Sequence, residues 1–98
     1  MIVRIVKLTF KNENIARFKQ LFGETNERIR RFSGCNFLAL YQDRENPAVF
    51  FTYSHWKSEN YLELYRGSDF FKGVWAKTKA LFAEEPQAWS VDAIKTLN

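Results

Sequence analysis

Ninety-eight residues are enough for one domain, and a chain this short buries only about two-thirds of its unfolded surface. The net charge of +4 comes from fifteen basic residues interspersed with eleven acidic ones, which is a solubility bias and not a nucleic-acid-binding block, and one cysteine excludes an internal disulfide framework. Ten Phe, four Tyr and three Trp are more aromatic mass than so small a monomer hides, so the composition predicts a large cavity or a second copy of the chain against an apolar face.

Residues 2–10 are apolar and β-branched apart from Arg4, Lys7 and Thr9, which predicts a strand covered on both faces. Asn12 or Asn14 caps a helix whose apolar positions Ile15, Phe18, Leu21, Phe22, Ile29 and Phe32 recur at helical spacing, with Gly34 as its stop. Arg28, Arg30 and Arg31 fall in its last turns, where cations favour the helix dipole. Residues 35–43 form a second strand and 48–56 a third, joined by the polar, Pro-containing turn Asp43-Arg44-Glu45-Asn46-Pro47 as an antiparallel hairpin. Ser58 caps a short helix that Gly67 ends. Ser68 or Asp69 caps the next, with Phe71, Val74, Trp75, Thr78, Leu81 and Phe82 along one face. Glu84-Glu85-Pro86 breaks that pattern, and residues 89–97 are a fourth strand with Trp89, Val91 and Ala93 alternating.

The order β-α-β-β-α-β is a ferredoxin-like α+β arrangement over residues 1–98, a four-stranded antiparallel sheet with helices on one face and the other face bare. A bare face lined by Val, Phe and Tyr predicts a homodimer through the sheet faces. No apolar run reaches the roughly 20 residues needed to cross a bilayer, and the first residues carry no signal-peptide layout, so the expected location is the cytoplasm, without membrane contact. The lone thiol of Cys35 suits that reducing compartment. With one His, one Cys and no carboxylates at ligand spacing, no metal site is expected.

The third strand ending in Trp56-Lys57-Ser58, then a helix, Ser68-Asp69, the pair Phe70-Phe71 and a Trp-bearing helix, resembles the antibiotic biosynthesis monooxygenase (ABM) superfamily. The resemblance implies a dimeric α+β barrel with a small-molecule cleft between the helices and the sheet of each subunit. It also implies oxidation of polyphenolic or quinol-type aromatics with O2 and without metal or flavin, hence no cofactor. The haem-degrading branch carries a similar W-K-S and S-D-x-F-K; here Trp56 and Ser68-Asp69-Phe70-Phe71-Lys72 occupy those positions. That branch's iron-ligating His falls on Trp75, however, and Trp cannot coordinate iron. Its first-strand Asn also has no counterpart among residues 3–6. Haem degradation is not expected.

The resemblance assigns Trp56, Phe71, Trp75, Tyr65 and Thr52 to the cleft; from the sequence alone Trp56 and Trp75 read as core. The candidates for catalysis are His55, Tyr65 and Arg66. Strand alternation sets His55 on the face opposite Trp56, with Thr52 and Ser54 on the Trp56 side. Tyr61 and Tyr65 share one side of the short helix, where Tyr65 can hold a substrate oxygen, and Arg66 can pair with an anion at the helix break. Arg4, in an apolar strand, predicts a salt bridge to the opposite strand or subunit in preference to a substrate contact. Two further readings stand beside the enzyme. The same topology serves RNA-recognition domains, but the basic-Gly-aromatic lead-in is missing at Asn46-Pro47-Ala48. A non-catalytic dimer that binds a small aromatic ligand needs the same pocket without a base.

Overall fold

A computed structural model describes residues 1–98. Strand β1 (Ile2–Thr9) leads through a single 3-10 turn (Asn12–Asn14) into helix α1 (Ile15–Arg30); β2 (Cys35–Gln42) and β3 (Val49–Trp56) follow as a hairpin. Helices α2 (Glu59–Arg66) and α3 (Asp69–Lys79) come next, and β4 (Gln87–Asp92) closes the chain order. The four strands make one antiparallel sheet in the order β2-β3-β1-β4, the ferredoxin-like topology the element order predicts.

Local chemistry accounts for the joints. In the hairpin turn, Asp43 Oδ2 accepts from the backbone N–H of Glu45 and of Asn46 (3.1 and 2.7 Å), and Asn46 Oδ1 accepts from Ala48 N–H (3.0 Å). Ser68 caps α3: its Oγ accepts from Phe71 N–H at 3.1 Å and donates to the Tyr65 carbonyl at 2.6 Å, so one hydroxyl ties the end of α2 to the start of α3. Gly34, at φ +86°, turns the chain from α1 into β2 in the left-handed region, and any Cβ there would strike the Tyr61 side chain. Its carbonyl accepts from Lys57 N–H at 2.8 Å, which fixes the start of β2 beside the end of β3.

The fourth strand starts two residues earlier than the alternation predicts and stops at Asp92, not at residue 97. Its partner sets that limit. Asp92 pairs with Ile2 and Gln87 with Lys7, so beyond Asp92 no β1 residue remains to bond. A register shift between Cys35 and Phe37 is the other irregularity. It lets Cys35 join the buried cluster around Trp56 while Phe37 pairs with His55 on the opposite face.

Helices cover one face of the sheet. The opposite face carries Ile5, Phe37, Tyr53, Trp89 and Val91 and is half-exposed within the chain, so the expected cover on both faces of β1 is present on one. The core beneath the helices is split in two. One cluster joins Ile29, Cys35, Trp56, Leu62 and Tyr65; the other joins Leu8, Phe10, Phe18 and Phe50. No helix is long and apolar enough to cross a membrane.

Candidate functional site

Between the two core clusters lies a cavity of ≈ 400 Å³, walled by β1 and β3 on the sheet side and by α1, α2 and α3 on the other. That volume is within the range of small-molecule sites. The cleft residues assigned from the sequence all line it: Thr52 and Trp56 from the sheet, Tyr65 from α2, Phe71 and Trp75 from α3.

Their rings form a continuous run along the wall. Trp56 stacks on Tyr65 (centroids 4.8 Å, 25° between planes), Tyr65 meets Phe71 edge-on at 5.0 Å, Phe71 stacks on Trp75 (5.9 Å, 11°), and Trp75 meets Phe82 at 5.7 Å. Offset-stacked and edge-to-face pairs are the favoured aromatic geometries. The run starts in the first core cluster and ends against the second, so it spans the gap that the cavity occupies. Trp56 is at once core and cavity wall: it is 1% exposed, and its Nε1 donates to Ser54 Oγ at 3.0 Å. Phe71 and Trp75 are half-buried.

The polar groups of the wall are few. Tyr65 is buried, and desolvation first, with the nearby Cys35 second, raises its phenol well above the usual value, so it stays protonated at neutral pH. Thr25 and Thr78 also reach the cavity, but their hydroxyls donate to the carbonyls of Leu21 and Val74 on their own helices (2.9 and 2.8 Å). Arg66 lines the cavity where it meets solvent and pairs with Glu63 one turn back, Nη1 to Oε1 at 3.2 Å. No Asp, Glu, His, Lys or Cys side chain lines the space.

His55 is elsewhere. It lies on the bare face, in a shallow depression with Phe37, Tyr53 and Val91, its ring 4.7 Å from that of Phe37. The alternation that puts Trp56, Ser54 and Thr52 under the helices puts His55 outside, as the sequence predicts, and the sheet separates it from the cavity. Of the three candidates for catalysis, Tyr65 and Arg66 are at the cavity and His55 is not.

Arg4 finds no acidic partner on the opposite strand. Its expected salt bridge does not form within the chain; the two ion pairs are Arg31–Glu27 and Arg66–Glu63, both on helix surfaces. Instead Arg4 pairs across the sheet with Ser54 on β3 and Ser90 on β4, lies on the helix-covered face, and lines the cavity. The signal was available: Arg4 shares its parity with Val6 and Leu8, the two β1 residues that also line the space.

Fold and cavity together define a ferredoxin-like α+β protein with a ligand-sized space under its helices. The family model described as antibiotic biosynthesis monooxygenase matches residues 1–77. The chain belongs to that family. Among solved structures, an antibiotic biosynthesis monooxygenase superposes with a TM-score of 0.90 at 21% identity, over 97% of this chain and 100% of that one. A conserved protein from Methanosarcina mazei gives 0.86 at 26% identity, over 93% and 91%. A Mycobacterium tuberculosis protein, Rv0793, gives 0.89 at 14% identity, over 99% and 98%. No curated protein matches the chain.

Proposed function

We propose that this protein is a monooxygenase that oxidises a small aromatic, quinol-type substrate with O2, without a metal or organic cofactor, inside the cavity between helices and sheet. The observation that carries the reading is the ≈ 400 Å³ cavity itself, walled by the aromatic run from Trp56 to Trp75. Flat apolar walls hold an electron-rich ring and keep water from the reacting atoms.

The reaction balances without an external reductant. A quinol and O2 give a hydroxyquinone and water, one oxygen atom going to each product, and the quinol supplies all the electrons. The substrate reacts as the phenolate, its proton passing to solvent water at the open end of the cavity beside Arg66 since no base lines the wall, because the anion releases an electron to O2 far more readily than the phenol does. Tyr65, held in its neutral form, is the hydrogen-bond donor for that developing oxyanion. Thr52, on the sheet side, fixes the ring's second oxygen. Trp56, Phe71 and Trp75 hold the ring plane. Two copies joined through their bare sheet faces complete the proposed protein, and the free Cys35 suits a reducing cytoplasm.

The absence of any carboxylate or imidazole from the lining favours a second reading, a dimer that binds a small aromatic without transforming it. O2 uptake separates the two. Purified metal-free protein is expected to consume O2 with hydroquinones or polyphenols, and Trp75→Leu, which reshapes the wall at a half-buried residue, is expected to change KM or kcat. Saturable ligand binding with no O2 uptake across the panel would replace the oxygenase with the binding protein.

A further inference from the structure

Every charged side chain that lines the cavity is an arginine, and one of them has no acidic partner. Arg4 makes a single side-chain bond, Nη1 to Ser90 Oγ at 3.0 Å, so most of the donors of its guanidinium fork remain free. Its cross-sheet neighbours on this face, Ser54 and Ser90, are both small and leave room for the fork. The Ser54 oxygen already accepts from Trp56 Nε1, which directs its own proton elsewhere. Arg66 stands close by, and its one carboxylate neighbour, Glu63, offsets a single charge. Two guanidiniums against one carboxylate leave a surplus positive charge at the mouth of an aromatic-walled space. Burial, and next the Arg66 charge, push the Arg4 guanidinium below its usual value, while Glu63 opposes them only in third place. The half-buried cation is therefore undercompensated, and a bound anion is what would compensate it.

We infer that the ligand of this cavity is an aromatic carboxylate, its ring between the aromatic wall and the sheet and its carboxylate on Arg4, with Arg66 adding to the attraction from the rim. A planar carboxylate matches the guanidinium fork in two parallel bonds, which a neutral quinol cannot do. Arg4 lies on the helix-covered face, away from the bare face on which the proposed second copy docks. This deepens the proposed function and rests on the cavity being the ligand site, but it does not need turnover.

The test is calorimetric titration at neutral pH with 2,5-dihydroxybenzoate and with its methyl ester, which carry the same ring and differ by one charge. The acid is expected to bind about tenfold or more tighter than the ester, as a charge-assisted pair implies. Arg4→Gln is expected to cut the acid's affinity far more than the ester's and so bring the two together, and Arg4→Lys to fall between. Equal affinity of acid and ester for the native protein overturns the inference and leaves the oxygenase reading standing; so does a preference that survives in Arg4→Gln. Binding of neither overturns both readings of the cavity. Should the Arg4 variants fail to fold, Arg66→Gln at the exposed end of α2 serves instead: an acid preference that it leaves largely intact supports Arg4, and one that it abolishes overturns the placement.

Discussion

At Trp56 and Tyr65 one stacked pair serves two ends. Trp56 is 1% exposed, so Trp56→Ala opens a hole in the first core cluster and is expected to cost roughly 3–5 kcal/mol, read from urea unfolding. Against a total stability of about 5–15 kcal/mol, that makes the alanine variant a poor probe of binding. Trp56→Phe keeps the stack and loses the bond to Ser54, for about 1 kcal/mol. Tyr65 is the better probe. Its phenol is raised by burial, so its contribution to stability is complete below the unfolded value near pH 10 and is lost as pH rises from there towards the folded value. Thermal stability is expected to fall above about pH 10 with a slope approaching 1.4 kcal/mol per pH unit from this residue, and Tyr65→Phe is expected to flatten it. Cys35 is raised too, by burial first, and adds a loss of the same sign that starts lower, from about pH 8.5. The positions of Trp56, Thr52 and His55 relative to one another were legible because strand parity is local. The partner of Arg4 was not legible, since a cation in an apolar strand says that it needs a partner and not which partner the fold brings.

The elements divide in the same way. The turn at Asp43–Asn46 and the cap at Ser68 use atoms a few residues apart, so the sequence spells them out. The end of β4 depends on the length of β1, and the bulge between Cys35 and Phe37 on which side chains must share a core with Trp56; neither is written in its own neighbourhood. The Ser68 hydroxyl bears directly on the cavity, because α2 supplies Tyr65 and α3 supplies Phe71 and Trp75. Ser68→Ala removes both the cap of α3 and the bond to the Tyr65 carbonyl. It is expected to lower stability by about 1–2 kcal/mol and to loosen ligand binding through the relative placement of those rings, with denaturant midpoints and calorimetry as the two readouts. Gly34→Ala is expected to destabilise by a comparable amount or more, since the φ of +86° and the Tyr61 ring both exclude a Cβ.

Over the whole molecule, composition announced a surplus of aromatic surface without saying whether it lined a space inside or a face outside, and the fold uses it for both. The inner share walls the cavity. The outer share is the bare sheet face, where Trp89 and Val91 on β4 remain 44% and 41% exposed and Phe37 on β2 39%, with Ile5 and Tyr53 between them on β1 and β3. An apolar patch of this extent on so small a chain is the face that the second copy of the proposed homodimer would cover. The expected homodimer buries on the order of 1,200 Å² or more in total, the lower bound for a stable interface. Trp89→Glu tests it cleanly. Because Trp89 is 44% exposed in the single chain, a charge there costs the isolated fold little, whereas within a sheet-to-sheet contact it would be buried without a partner. Sedimentation equilibrium is expected to give a dimer for the native chain and a monomer for Trp89→Glu, with unchanged circular dichroism in both. A native monomer at micromolar concentration would leave the aromatic face without a partner copy and remove the dimer from the proposed function, while the cavity, on the opposite face of the sheet, would stand.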